Sequence, residues 1–158
     1  MVFAAFAVTS ARAYQFSAVA PTGQTLYFTC PVAGVYECGV YPPAMEGWEG
    51  YEAPTGELVI PDSVEYQGHS YAVTHVGKMA FNGCGGLTSV TVPTTVTRIC
   101  EAAFKDCRDM TQITVPSTVT VIEDRAFEYC INLPDLLVPS SGDSVGYMAF
   151  YFAYFSNS

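Results

Sequence analysis

One spacing constrains this chain more than any other feature. Phe81, Phe104, Phe127 and Phe150 each stand twenty-three residues from the next. The same step runs through Cys84, Cys107 and Cys130, and through Leu87, Met110 and Leu133. It continues in Val90, Ile113 and Leu136, in Val92, Val115 and Val138, and in Pro93, Pro116 and Pro139. Full units begin at Gly77, Cys100 and Glu123, and a fourth from Gly146 stops midway. A unit of this size cannot bury its apolar face alone, so a fixed period of this length implies stacked repeats sharing one core.

Each unit can be decoded locally. In the second, Ala103, Phe104 and Cys107 fall at i, i+1 and i+4, one face of a single helical turn. Met110, Ile113 and Val115 then follow the pattern L-x-x-L-x-L. Ile113 and Val115 alternate with Gln112 and Thr114, which is the strand period. Pro116 ends the strand because it has no N–H for a continuing ladder. Val119 and Ile122 point back inward before the next unit. Stacking predicts like strands about 4.8 Å apart in a parallel ladder.

The run L-x-x-L-x-L-P-x-x-V-x-x-I followed by A-F-x-x-C resembles the BspA-like leucine-rich repeat. Residues 56–81 resemble that family's opening repeat, with Leu58, Ile60, Pro61 and Val64 at repeat positions and a hairpin inserted around Gln67-Gly68-His69. YQFSAVAPTGQTLYFTC and EGWEGYEAPTG resemble the strand-rich segment that precedes such repeats. The resemblance implies a leucine-rich-repeat solenoid, mainly parallel β with one short helical turn per repeat, behind a small β-rich N-terminal cap. It divides the chain into residues 14–55 for the cap and 56–158 for the repeats. The opening repeat is then 56–76, followed by 77–99, 100–122, 123–145 and a partial unit 146–158. It also implies a secreted or surface-displayed bacterial protein that binds or adheres. Three departures stand out. Cys100 takes a position usually held by Gly, Gly142 replaces an inward Val, and the chain ends at Ser158 inside a repeat. Those features read as a fragment or a very short member.

Composition narrows the partners. The chain has a formal net charge of -9 and only six Lys and Arg, scattered from Arg12 to Arg125. Neutralising phosphates requires clustered cations, so nucleic acid and anionic membrane surfaces fit poorly. The acidic stretch Glu37–Glu65 lacks the closely spaced oxygen ligands of a calcium loop. Met1–Val8 is apolar, and Ala11-Arg12-Ala13 has the small-x-small form of a cleavage site, so residues 1–13 read as an export signal. The basic n-region is missing, and a buried first strand is the alternative. No later segment is long and apolar enough to span a bilayer.

Candidate sites sort quickly. Cys84, Cys107 and Cys130 read as small buried hydrophobes. A parallel ladder spaces their sulfurs one strand apart, whereas zinc needs ligands converging on one point, so no metal is expected. Cys30 and Cys38 flank PVAGVYE, a hairpin tip, where a disulfide is a possible pairing in an oxidising compartment. His69 and His75 lie in no nucleophile or zinc motif. Glu123 and Asp124 are expected to open a helical turn, and Gly83-Cys84-Gly85-Gly86 lacks the Lys of a phosphate loop. No catalytic residue or cofactor site is assigned. The outward strand positions Ser89, Thr91, Gln112, Thr114, Asp135 and Leu137 form the candidate face for a protein or glycan partner. The competing readings are a structural spacer within a longer surface protein and an enzyme, for which no constellation is visible. If residues 1–13 are an export signal, N-terminal sequencing of secreted protein should begin at Tyr14; intact protein in the cytosol starting at Met1 would remove that assignment.

Overall fold

The computed structural model describes residues 4–5, 14–30, 34–45, 47–134 and 144–153. The export-signal reading therefore falls largely outside the described residues, as do Asp135, Leu137 and Gly142. Ala4–Ala5 (β1) pairs antiparallel with Phe16–Val19 (β2).

The repeats stack along two parallel ladders. One contains Gly56–Val59 (β5), Leu87–Thr91 (β8) and Gln112–Thr114 (β10), in the order β10-β8-β5. Its register is the sequence period made physical: Ser89, Val90 and Thr91 lie opposite Gln112, Ile113 and Thr114. Val90 and Val92 are buried beneath it, and Ile113 and Val115 are partly buried. The second ladder was not visible in the sequence. There His69–Val76 (β7), Arg98–Ile99 (β9), Val121–Ile122 (β11) and Ser144–Val145 (β12) run parallel, with Val76, Ile99, Ile122 and Val145 in register.

The N-terminal strands extend this second ladder. Glu37–Tyr41 (β4) pairs parallel with β7, and Thr25–Thr29 (β3) pairs antiparallel with both β4 and β2. Ser63–Tyr66 (β6) forms a hairpin with β7. Its two-residue turn is Gln67-Gly68, both at positive φ, the geometry whose twist matches that of the flanking strands. The tip between β2 and β3 also blunts the free edge of β5. Gln24 Nε2 donates to the carbonyls of Thr55 and Glu57 at 3.2 and 2.7 Å, and the Val59 amide donates to Thr22 Oγ1 at 3.2 Å. Side chains thus occupy groups that a second chain would otherwise find unpaired.

The core is a stack of rings. Phe81, Phe104 and Phe127 are fully buried. Successive centroids from Phe81 to Phe150 lie 5.2, 5.3 and 5.3 Å apart, with planes within 15°. Trp48 closes the N-terminal end, stacked on Phe81 at 6.4 Å and donating its indole N–H to the Ala80 carbonyl at 2.9 Å.

The expected helical turn beside each Phe is absent; no helix occurs among the described residues. Two columns of left-handed residues interrupt it. Met79, Ala102, Arg125 and Met148 form one, and Gly83, Asp106, Tyr129 and Phe152 the other, all with φ between 53° and 76°. A helix needs every residue right-handed, and a left-handed φ costs a non-glycine residue roughly 1–2 kcal/mol. The compensation is a third ladder. The Ala102, Phe104 and Asp106 amides donate to the carbonyls of Asp124, Ala126 and Glu128, between 2.8 and 3.0 Å. Ala103, Lys105 and Cys107 bond three residues back within their own rung. Alternating donors face the next rung, whereas a helix would have turned all of them along its own axis. Glu123 and Asp124 consequently serve no helix dipole. Glu123 Oε2 accepts from the Glu101 amide at 2.9 Å, and Asp124 Oδ1 accepts from the Tyr147 amide at 2.7 Å.

Phe104→Ala should cost about 3–5 kcal/mol, the usual range for deleting a buried ring, because it removes both flanking stacks. An unchanged denaturation midpoint would show that the ring column does not hold the rungs.

Candidate functional site

Strand alternation turns one side of β5-β8-β10 into the ring core and the other outward. On the outer side, Ser89 lies across from Gln112 and Thr91 across from Thr114. Thr91, Gln112 and Thr114 are exposed and Ser89 is half-buried. The structure thus brings four of the six sequence-selected positions together; Asp135 and Leu137 lie outside the described residues. It adds two that the sequence reading left out. Glu57 sits opposite Ser89 and Val59 opposite Thr91. The signal was present in Leu58, read as a repeat position: once it is buried, its two neighbours on the strand must face out.

A cleft of about 350 Å³ opens beside this surface, lined by Pro21, Val59, Pro61, Asp62, Thr91 and Pro93. Its walls mix apolar Pro, Val and Ile with the polar side chains of Asp62, Ser63, Glu65 and Thr91. Asp62 Oδ1 already accepts a hydrogen bond from Ser63 Oγ at 2.9 Å. No Lys or Arg lies among the face residues Glu57, Val59, Ser89, Thr91, Gln112 and Thr114.

The other candidates are structural. Cys107 Sγ donates to the Phe81 carbonyl at 3.2 Å and Cys130 Sγ to the Phe104 carbonyl at 3.0 Å. Burial pushes the Cys84 and Cys130 thiols up to about 12 and Cys107 well above its ordinary range, so none is a ready nucleophile. No group of three or more His, Cys, Asp or Glu among the described residues could hold a metal ion. Cys30 and Cys38 are unbridged, and each thiol is near enough to the other to influence its ionisation.

His75 is held in place on the outer side of the second ladder. Its Nε2 lies 3.2 Å from the Tyr41 hydroxyl and its Nδ1 3.3 Å from Thr74 Oγ1. The ring lies flat against Gly39, where any Cβ would collide with it, and the Tyr41 ring takes the equivalent space over Gly77. Cys100 shares this groove, but burial first and then Glu123 push its thiol up to about 11. The groove holds a fixed imidazole without an activated nucleophile. At the hairpin, His69 stacks on Tyr36 at 5.0 Å, and its Nδ1 lies 3.1 Å from the Gln67 carbonyl.

A sequence profile of the BspA type leucine rich repeat region matches residues 58–157, in six copies. The chain belongs to the BspA-type leucine-rich repeat family. Solved structures agree. A leucine-rich repeat protein from Bacteroides ovatus is 27% identical, with a TM-score of 0.68 over 80% of this chain and 31% of that one. One from Bacteroides capillosus is 24% identical, with a TM-score of 0.67, covering 93% of this chain and 96% of its own. A leucine rich cell surface protein from Faecalibacterium prausnitzii is 21% identical, with a TM-score of 0.65 over 97% of this chain and 34% of that one. The chain therefore spans about a third of the length of the first and last of these. No curated protein matches it in sequence. In this chain the inward columns build the solenoid, and the exposed outward strand residues take no part in the core.

His75 gives a pH test of the groove. Burial first, and then the Arg98 guanidinium, lower its pKa from the ordinary value of about 6.5. Between the two values the unfolded chain holds a proton that the folded chain does not. This contribution is therefore complete above about pH 6.5 and is lost as pH falls through the ordinary value toward the lowered one. His75→Asn should flatten the pH dependence of the urea midpoint in that window; an unchanged slope would show that the imidazole is not held neutral.

Proposed function

We propose that this chain is a non-enzymatic binding module of a bacterial surface or secreted protein, and that the outward face of β5-β8-β10 contacts a protein or glycan. One observation carries the reading: Thr91, Gln112 and Thr114 stand exposed and in register on adjacent parallel strands, beside a cleft that reaches Thr91. Three hydroxyl or amide groups at strand spacing offer a line of donors and acceptors that the core does not use. Stacked repeats present surfaces of this kind to extended partners. The name of the Faecalibacterium relative as a cell surface protein supports the location. Among the described residues no helix is long and apolar enough to cross a membrane.

The chemistry of the face sets the mode of recognition. Among the described residues Glu57 is the one charged side chain of the face, at its β5 edge; at Thr91, Gln112 and Thr114 only neutral groups are presented, and short-range hydrogen bonding dominates there. Affinity of a partner seated on those three residues should then change little with ionic strength, since salt screens distant charges most.

The test is direct binding of the full chain to a glycan array and to immobilised extracellular-matrix proteins. Saturable binding is expected on at least one. Changing Thr91, Gln112 and Thr114 together to Lys should reduce that binding at least tenfold while each substitution moves stability by only about 0.5 kcal/mol. Equal binding by the triple variant would move the site elsewhere. Absence of saturable binding across both panels would favour a structural spacer.

A further inference from the structure

Of the six cysteines, Cys30 and Cys38 are the two that lie outside the repeats at the end of an antiparallel pair. The β3–β4 register sets Tyr27 against Tyr41, Phe28 against Val40 and Thr29 against Gly39. The last observed pair is Thr29 with Gly39, and extending that register by one residue past the end of β3 would set Cys30 across from Cys38. Directly opposed residues of an antiparallel pair have Cα atoms about 4.5–5.5 Å apart. That range lies inside the roughly 4.4–6.8 Å over which two cysteines can be bridged without moving the backbone. Each thiol lies near enough to the other to influence its ionisation. Their exposure differs: Cys38 is fully buried, whereas Cys30 is partly open to solvent. The column thiols of Cys107 and Cys130 are instead committed to carbonyls of the preceding rung.

We propose that Cys30 and Cys38 are an oxidisable pair that closes to a cross-strand disulfide by exchange with a small external disulfide entering at Cys30. The Cys30 thiolate attacks one sulfur of the external disulfide, whose S–S bond breaks and releases one thiolate. The Cys38 sulfur, buried beside Cys30, then attacks the Cys30 sulfur and passes its proton to the second thiolate as that group departs. The protein loses two protons and two electrons, and the external disulfide becomes two thiols. Cys30 acts first because it is the sulfur that solvent reaches. The bond fastens β4 at its N-terminal end. That strand pairs antiparallel with β3 on one side and parallel with β7 on the other. The bridge therefore ties the N-terminal strands together where they join the repeat ladder.

The experiment uses the full chain, purified reduced and then incubated with oxidised glutathione. It is denatured, alkylated with iodoacetamide without reduction, and cleaved after glutamate, which cuts the chain between the two cysteines at Glu37. The expected product is a linked pair of peptides carrying Cys30 and Cys38, with Cys84, Cys107 and Cys130 alkylated. In the folded Cys38→Ser protein, Cys30 should trap glutathione. In the folded Cys30→Ser protein, Cys38 should stay unmodified. Alkylation of both Cys30 and Cys38 in the oxidised wild-type chain would overturn the pairing, as would a link from either to another cysteine. Glutathione on Cys38 of the folded Cys30→Ser protein would overturn the entry at Cys30. The wild-type mapping decides the pairing without either variant.

Discussion

The structure depends on contact between like residues of successive rungs. A single twenty-three-residue unit has one large ring and a few aliphatic side chains, too little to offset the ordering of its own backbone. Placed on its neighbour, the same unit covers both faces of its Phe ring at about 5 Å. It also satisfies alternate turn amides on the next rung's carbonyls. Those bonds make the left-handed residues tolerable. Ala102 and Asp106 adopt an unfavourable φ, and in return Ala102, Phe104 and Asp106 donate across to the next unit. Two ion pairs follow the same period: Lys78 with Glu101 and Lys105 with Glu128, each at 2.7 Å. The first is exposed and contributes little; the second joins a largely buried carboxylate and marks the register.

A stack has two ends, and the N-terminal one is closed by different means. Trp48 supplies the ring that a preceding rung would have supplied, and its indole N–H takes the Ala80 carbonyl. Thr22 and Gln24 cover the edge of β5 with side-chain hydrogen bonds. The second ladder continues through β4 into antiparallel strands rather than ending. Each device removes unpaired backbone that would otherwise invite another chain.

Much of this was legible in the sequence because side-chain identity repeats with the period. The Phe and Cys columns, the strand at Ile113 and the register of Thr91 with Thr114 follow from spacing alone. The turn did not, because Ala103, Phe104 and Cys107 share one face in a helix and also in this chain of tight turns. What separates the two is backbone φ at Ala102 and Asp106, residues without the glycine that would have signalled it. The second ladder was missed because β9 and β11 are two residues long, too short for alternation to register. Trp48 was missed because its role belongs to no repeat. At the candidate face, the sequence placed Ser89, Thr91, Gln112 and Thr114, whereas the adjoining cleft needed Pro21 and Asp62 from distant segments.

The central claim is that the turn column is bonded between rungs, and trans-hydrogen-bond scalar couplings in an isotope-labelled sample measure it most directly. The account predicts a correlation from the Phe104 amide nitrogen to the Ala126 carbonyl carbon, twenty-two residues ahead. A correlation from Phe104 to the Cys100 carbonyl, four residues behind, would mean a helical turn and would contradict it.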